Sequence, residues 1–251
     1  MKNLYLGTSG ISLPYRNKSE YPVEFQEKSR LQFFSTLTNS VEINTSFYTI
    51  PMPKTVEKWT TEVPEDFKFT FKLWRGITHN KGFEYDPDDV KKYMATVEMA
   101  GEKKGSLLVQ FPPSLKIDKM LRVRNLLEEI KDEADNSWDI AAEFRNATWH
   151  REDFYEMLNG LKVGLVIHDK HGNENNQFDQ EVRFRYLRFH GPNGDYKGSY
   201  SDALLMEYAE LISEWLSDGN TVYVYFNNTA GNAFGNLVTL RAMVEEIAVN
   251  Y

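Results

Sequence analysis

The chain has 251 residues, a length that suits one α/β barrel, for which roughly 250 residues is typical, so a single domain is predicted over residues 1–251. It contains no cysteine, which excludes disulfides, thiolate catalysis and cysteine-ligated metals. The net charge of −8 disfavours a nucleic-acid partner, because phosphate contacts depend on clustered Lys and Arg. Nucleic-acid binding stays open as an alternative.

Short runs rich in β-branched and aromatic residues alternate with segments of helical period along the chain. Eight runs are predicted as strands, and they begin at Leu4, Ser40, Phe67, Gly105, Ile140, Lys162, Arg183 and Thr221. The second, "SVEINTSFY", is expected to stay extended as far as Tyr48. Since strands that alternate with helices form parallel sheets, this pattern predicts an α/β fold, a single (β/α)8 TIM-type barrel. An open doubly wound sheet is the alternative.

The crossover helices have recognisable ends. Pro53 is predicted in the first turn of one helix, which Pro64 ends. Three residues are predicted to cap the helices that follow them: Asp86, Asp118 and Ser201. Gly219 is expected to end the last of these helices. The sixth crossover, "HGNENNQFDQE" from His171, is too short and polar for a full helix, so a short or irregular connection is predicted there.

Polar side chains occur late in six of these strands and on one parity. In a barrel the outward parity is covered by helices, while the inward parity can turn polar toward the carboxyl ends of the strands. Glu42 and Asn44, which alternate with Val41 and Ile43, show the pattern clearly. We therefore expect the polar parity to face the barrel mouth, where barrel enzymes hold their active sites.

The charges on the polar parity favour an anionic ligand. The carboxylates of Glu42 and Glu143 are outnumbered by three cations, and guanidinium groups bind phosphate or carboxylate in a bidentate way. Arg75 and His79 follow the third strand and extend the set. The residues predicted to bind the substrate are Asn44, Lys72, Arg75, His79, Gln110, Arg145, Arg188 and Asn227.

General acid/base chemistry is assigned to carboxylate and imidazole groups of the same parity. Glu143 is the first candidate, because a partly desolvated carboxylate beside Arg145 can have its pKa shifted either way. His190 has an ordinary pKa near ~6.5, and Glu42 completes the predicted catalytic set. The expected partner is a small anionic molecule, phosphorylated or carboxylated, with a sugar derivative among the options, and the reaction class is a hydrolase, lyase or isomerase.

Three alternatives stay open. No cofactor is predicted, but a divalent metal on Glu42, Glu143, Asp169 and His190 would make a phosphoesterase or an endonuclease-like or isomerase-like barrel. The chain could instead bind a small ligand or nucleic acid without catalysis. The charges could also form a purely structural network, with Glu42 paired to Lys72 and Glu143 to Arg145. The oligomeric state is not predicted.

A cytoplasmic location without a membrane partner is expected from the apolar patterning. No run reaches the ~20 consecutive apolar residues that a membrane helix requires. The first eight residues also lack the long apolar core of a signal peptide.

Seven segments resemble the YecE-like family, the domain of unknown function 72, nearly from end to end. They are "GTSG" at Gly7, "VEINTSFYTIP" at Val41, "FTFKLWRGITH" at Phe69, "LLVQFPPSL" at Leu107, "AAEFRNATW" at Ala141, "YLRFHG" at Tyr186 and "VYVYFNNTAG" at Val222. The resemblance implies a TIM-type barrel and brings no established reaction. The family-like positions include Glu42, Asn44, Lys72, Arg75, His79, Gln110, Glu143, Arg145, Asp169, His190 and Asn227.

Overall fold

Parallel strands alternate with helices in the computed structural model, which describes residues 2–135, 137–170 and 180–249. The strands are β1 Leu4–Thr8, β2 Ser40–Ile43, β3 Lys68–Lys72, β4 Lys104–Gln110, β5 Asp139–Glu143, β6 Gly164–Leu165, β7 Ile167–His168, β8 Phe184–Phe189 and β9 Thr221–Phe226. The helices are α1 Arg30–Leu37, α2 Thr45–Tyr48, α3 Pro53–Thr61, α4 Arg75–Thr78, α5 Pro87–Val97, α6 Met120–Ala134, α7 Glu152–Leu161, α8 Asp202–Ser217 and α9 Ala233–Val249. The predicted irregular sixth crossover falls largely on residues 171–179, outside the described residues.

The strand order confirms the predicted α/β class and follows the order of a (β/α)8 barrel. Hydrogen bonds join β2-β3-β4-β5-β6 into one parallel sheet and β1-β9-β8-β7 into another. A parallel bridge between Ser9 and Glu42 links β1 to β2. At the other junction the run predicted as one strand from Lys162 divides around Val166, whose N–H donates to Ala142. The strands therefore neighbour one another in chain order from β1 to β9, and β9 pairs with β1, although their hydrogen bonds form two separate sheets.

The two parities of β8 and β9 face different surroundings. Leu187 and Phe189 belong to the apolar cluster that also contains buried residues of α8 and α9. Tyr186 and Tyr225 belong instead to a separate cluster with Leu108 and Ala141 of β4 and β5. The outward parity is thus covered by helices, as predicted, and the inward parity brings strands from opposite sides of the fold together.

The ends of several helices confirm the sequence prediction. Pro53 is the first residue of α3, Asp86 accepts a hydrogen bond from the Asp88 N–H, and Ser201 accepts one from the Leu204 N–H. Gly219 follows α8 with a φ of 81°, a conformation that glycine adopts without a steric cost. None of the described helices combines the length and apolar character needed to cross a membrane.

Two predicted helix boundaries are wrong. Asp118 does not cap α6, because it lies in a short 3₁₀ turn over Ile117–Lys119 that precedes the helix. Pro64 does not set the end of α3, since that helix stops at Thr61, before the proline.

The extended run predicted from Ser40 to Tyr48 is also wrong in its second half. β2 ends at Ile43, and Thr45–Tyr48 forms the short helix α2. The Ser46 hydroxyl stabilises this reversal by donating to the carbonyl oxygens of Ile43 at 2.6 Å and Lys72 at 2.8 Å. The turn brings Phe47 beside Lys72, which a continuing strand would not do.

Gly7 is expected to be essential for the close approach of β1 and β2. A Cβ at this position would lie 2.3 Å from the Ser40 carbonyl oxygen, so Gly7→Ala should lower the free energy of unfolding by about 1–3 kcal/mol through overpacking. Urea unfolding checks this. The matched control is Gly160→Ala in α7, where a Cβ meets nothing within 4 Å and where alanine should add up to about 1 kcal/mol. Equal effects of the two substitutions would contradict the tight β1–β2 contact.

Candidate active site

A buried guanidinium group lies at the centre of the site. Arg188 on β8 is 1% exposed. Its Nε and Nη2 donate to the two carboxylate oxygens of Glu42 at 2.8 and 2.7 Å, and its Nη1 donates to Glu143 at 2.5 Å. A buried charge is tolerated only when it is paired and hydrogen-bonded, and here one cation serves carboxylates from β2 and β5.

Glu42 is saturated by this arrangement. Besides Arg188, it accepts hydrogen bonds from the Ser9 hydroxyl at 2.5 Å and the Tyr186 hydroxyl at 2.7 Å. Burial would raise the pKa of Glu42, but the charge and hydrogen bonds of Arg188 lower it overall. The predicted pair with Lys72 is wrong, because the partner of Glu42 is Arg188. Since Glu42 is fully buried and every contact is internal, its predicted catalytic role finds no support in the geometry.

Glu143 is held as a permanent anion. Arg145 Nε donates to one of its oxygens at 2.6 Å, and Arg188 donates to the other. Burial opposes ionisation, yet Arg188 and Arg145 together hold the pKa of Glu143 well below its ordinary value. The predicted pair with Arg145 is therefore present. A fully buried carboxylate that keeps its charge is poorly suited to the proton transfer predicted for it, because an acid/base group works best with a pKa near the operating pH.

His190 lies under the same guanidinium groups. Its Nε2 is 3.2 Å from Arg188 Nη1 and 3.5 Å from Arg145 Nη2, and its Nδ1 is 3.2 Å from an Asp169 oxygen. Guanidinium nitrogens only donate, so Nε2 is the acceptor and Nδ1 carries the hydrogen toward Asp169. Burial, with the charge of Arg188, lowers the pKa of His190 to about 4. The imidazole is thus neutral at pH 7 and, being fully buried, is closed to a substrate.

The four residues named as an alternative metal set do not form one. Asp169 and His190 meet, but the carboxylates of Glu42 and Glu143 are bound to guanidinium groups. Across the described ranges, no cluster of three or more His, Asp or Glu side chains is arranged to hold a metal ion.

A cavity of about 550 Å³ opens above this network, at the carboxyl ends of the strands. Its lining includes seven of the eight predicted substrate-binding residues, namely Asn44, Lys72, Arg75, His79, Gln110, Arg145 and Asn227. The rest of the lining is Phe47, Tyr48, Pro112, Pro113 and Tyr196. Arg188 is the exception, because it lies beneath the cavity with its nitrogens bound to carboxylates. Among the residues that the structure describes, no Asp or Glu is part of the lining.

Lys72 is the buried cation of the lining. Its Nζ lies 4.1 Å from the centre of the Phe47 ring, and it forms no ion pair with any of the residues that the structure describes. The backbone carbonyl of Lys72 accepts hydrogen bonds at 2.8 Å from both the Ser46 and Tyr93 hydroxyls. Burial, reinforced by the charge of Arg188, lowers the pKa of Lys72 to about 7.

Two further groups of the lining differ from ordinary surface residues. Burial and the charges of Lys72 and Arg75 lower the pKa of His79 to about 4, so its imidazole is neutral at pH 7. The Oδ1 of Asn44 is buried without a hydrogen-bond partner among the described residues. The neutral imidazole of His79 can therefore exchange hydrogen bonds with a polar ligand.

Phe47 is one of the five lining residues that were not in the predicted set, and it is the one that contacts Lys72. An extended chain would place it on the apolar, outward parity with Ile43, whereas the α2 turn directs it toward Lys72. No pattern in the sequence predicts this turn. By contrast, Tyr186 shares the parity of Arg188, so its inward orientation could have been inferred from spacing, although its partner Glu42 could not.

Removing the central cation should unfold the site. Arg188→Met would leave two buried carboxylates short of a partner, and we expect the free energy of unfolding to fall by about 3–5 kcal/mol. Chemical denaturation at neutral pH measures the change. Arg124→Met, which breaks an exposed pair with Glu128 on α6, is the matched control and should cost less than about 1 kcal/mol. A small effect of Arg188→Met would show that the network does not stabilise the fold.

Comparison with known proteins identifies the family. The family described as "Protein of unknown function DUF72" matches residues 5–250. The UPF0759 protein YunF of Bacillus subtilis is 28% identical over an alignment 260 positions long, which covers 91% of this chain and 89% of YunF. A crystal structure of a DUF72 family protein from Enterococcus faecalis superposes with a TM-score of 0.78 at 22% identity, covering 96% of this chain and 95% of that one. A DUF72 family protein from Thermotoga maritima gives a TM-score of 0.75 at 27% identity, covering 96% and 99%. The chain belongs to the DUF72 family.

Proposed function

We propose that the protein is an enzyme that binds a small phosphorylated or carboxylated substrate in the cavity at the carboxyl ends of the strands. The observation that carries this proposal is the charge of the lining. Lys72, Arg75 and Arg145 line the cavity, and no carboxylate joins them from the described part of the chain, because Glu42 and Glu143 are bound to guanidinium groups below. Such a site favours an anion, and opposes a bare cation, through its field alone.

Arg75 supplies the permanent positive charge that no carboxylate balances, and Arg145, whose charge offsets that of Glu143, supplies further N–H donors. Arg75 makes no ion pair among the described residues, and its guanidinium lies 6.0 Å from the Phe47 ring centre. Arg145 donates Nε to Glu143, while its Nη1 has only a long contact of 3.4 Å with the Tyr196 hydroxyl. Each therefore retains N–H donors in the planar geometry that suits phosphate and carboxylate oxygens.

The neutral groups of the lining favour a hydroxylated carbon skeleton. Asn44, Gln110 and Asn227 come from three different strand ends and line the cavity with amide groups, which can exchange hydrogen bonds with ligand hydroxyls. The exposed ring of Tyr48 lies at the rim. A cavity of about 550 Å³ is within the usual size range of small-molecule sites, about 300–1,000 Å³. This combination supports a sugar phosphate or a hydroxy acid.

Proton transfer in this proposal is assigned to Lys72. Glu143 and His190, the groups expected from the sequence, are buried beneath the cavity and have pKa values shifted away from neutrality. Lys72 lines the cavity, and burial lowers its pKa to about 7. A group whose pKa lies near the operating pH can both accept and donate a proton during a reaction cycle.

Anion binding should depend on Arg75. Hydrogen bonds to charged groups contribute about 1.5–3 kcal/mol, so Arg75→Ala should weaken binding of inorganic phosphate or 2-phosphoglycolate by about tenfold to a hundredfold. Calorimetry on chelator-treated protein measures the affinity, and thermal shifts provide the first screen. Arg124→Ala on the distant α6 surface is the matched control and should bind normally. If wild type binds neither anion, or if Arg75→Ala binds as well as the control, the assignment of the cavity fails.

The affinity for such anions should also fall as the pH rises through about 7. Lys72 has a pKa of about 7, so its cationic form is complete below this value and disappears above it, whereas the arginines stay charged. Binding of an anion that contacts the ammonium must therefore take up a proton, and the affinity should fall about tenfold for each pH unit above about 7. Calorimetry in buffers of different ionisation enthalpy measures the proton uptake. Lys72→Met should show a flat profile over the same range, and a flat wild-type profile would remove Lys72 from the binding site.

A further inference from the structure

We infer that Lys72 is a nucleophile that forms an imine with its substrate, so that the substrate class is a small anionic aldehyde, ketone or 2-oxo acid. The inference rests on the proposed function and adds to it the reacting functional group. It assigns the arginines to the anionic group of the substrate and Lys72 to the carbonyl carbon.

The backbone of Lys72 is held in place by hydrogen bonds, and its side chain lines the cavity. Lys72 is the last residue of β3, and two side-chain hydroxyls bind its carbonyl oxygen, so the root of the side chain is anchored. The Nζ lies against the face of Phe47 at 4.1 Å and borders the cavity. A lysine placed there for structure alone would be expected to contact a carboxylate, but both nearby carboxylates are bound to Arg188.

The surroundings of Lys72 also keep the amine reactive. Only an unprotonated amine attacks a carbonyl group, and a desolvated lysine close to other cations loses its proton more readily than an exposed one. Burial and the charge of Arg188 lower the pKa of Lys72 to about 7. Near neutral pH a large fraction of Lys72 is therefore the free amine, whereas an ordinary lysine with a pKa near ~10.4 is almost entirely protonated.

The chemical step balances without an oxidant or a metal. The Nζ lone pair attacks the carbonyl carbon, a C–N bond forms, and the carbonyl π electrons move to oxygen, which is protonated while the positively charged nitrogen loses one proton. The resulting carbinolamine loses water after a second proton reaches its hydroxyl oxygen. One amine, one carbonyl compound and one net proton thus give one protonated imine and one water molecule.

Tyr196 is placed to move these protons. Its hydroxyl lies 3.4 Å from Arg145 Nη1, and it lines the same cavity. Burial would raise the pKa of Tyr196, but Arg145 and Lys170 lower it overall. The protonated imine withdraws electrons from the adjacent carbon, which activates a neighbouring C–H or C–C bond. This chemistry suits an isomerase or a lyase, and hydrolysis of the imine releases the product.

Reductive trapping tests the inference. The protein is incubated separately with glyoxylate, pyruvate, dihydroxyacetone phosphate and glyceraldehyde 3-phosphate in the presence of cyanoborohydride, which reduces an imine to a stable secondary amine. Intact mass and peptide mapping locate the adduct. We expect at least one probe to modify Lys72 at substoichiometric concentration, with a rate that rises through about pH 7 and with protection by 2-phosphoglycolate, which has no carbonyl group to react.

Two variants serve as controls. Lys72→Arg keeps the positive charge but cannot form the imine, so its adduct should disappear. Lys58→Arg alters an exposed lysine of α3 that pairs with Glu62 and does not line the cavity, so it should leave the labelling of Lys72 unchanged. If Lys72→Arg does not fold, the protection of wild-type Lys72 by 2-phosphoglycolate provides the same discrimination.

The outcomes separate this inference from the proposed function. Selective adducts on Lys72 together with stabilisation by 2-phosphoglycolate support both. Stabilisation by 2-phosphoglycolate without preferential labelling of Lys72 by any of the carbonyl probes overturns the imine and leaves the anion site. Absence of both stabilisation and selective labelling overturns the proposed function and the imine together.

Discussion

The fold depends on one buried guanidinium group, which requires carboxylate partners. Arg188 on β8 is held by Glu42 on β2 and Glu143 on β5, and an unpaired ion at that depth would cost several kcal/mol. The three strands must therefore keep their register across the barrel interior. Tyr186 and Ser9 complete the shell around Glu42, so the polar interior acts as a fixed unit rather than as a set of reactive groups.

This pairing also determines the chemistry of the cavity. The acidic groups of the barrel interior are neutralised within the network, which leaves Lys72 and Arg75 without carboxylate partners among the described residues. The field of Arg188, added to burial, then lowers the pKa of Lys72 to about 7. A single buried cation thus holds the carboxylates as anions below and promotes the loss of a proton from the lysine above. The same network that stabilises the fold prepares the site.

Much of this arrangement follows from the sequence. The features that could not be predicted have one physical cause in common. Alternation along the strands predicted five of the lining residues, because parity is a local property, and position just after the third strand added Arg75 and His79. Parity does not give the depth of a side chain along the barrel axis. Glu42 and Asn44 therefore looked equivalent, although Glu42 is buried below the cavity and Asn44 lines it. Parity also does not choose partners across the barrel. Glu42 and Arg188 are 146 residues apart, and Lys72 on the adjacent strand appeared the nearer counter-charge. The α2 turn, which sets Phe47 against Lys72, depends on Ser46 bonding to a neighbouring strand and is invisible to local patterning.

The central claim is that burial above the ion network, together with the charge of Arg188, lowers the pKa of Lys72. The most direct measurement is a pH titration of the Lys72 side chain by NMR on protein labelled at lysine, with Lys72→Arg used for assignment. The account predicts a midpoint near pH 7, well below the ordinary lysine value of 10.5, and an upward shift when an anion occupies the cavity. An unperturbed midpoint would mean that Lys72 is solvated or paired, and it would contradict the account.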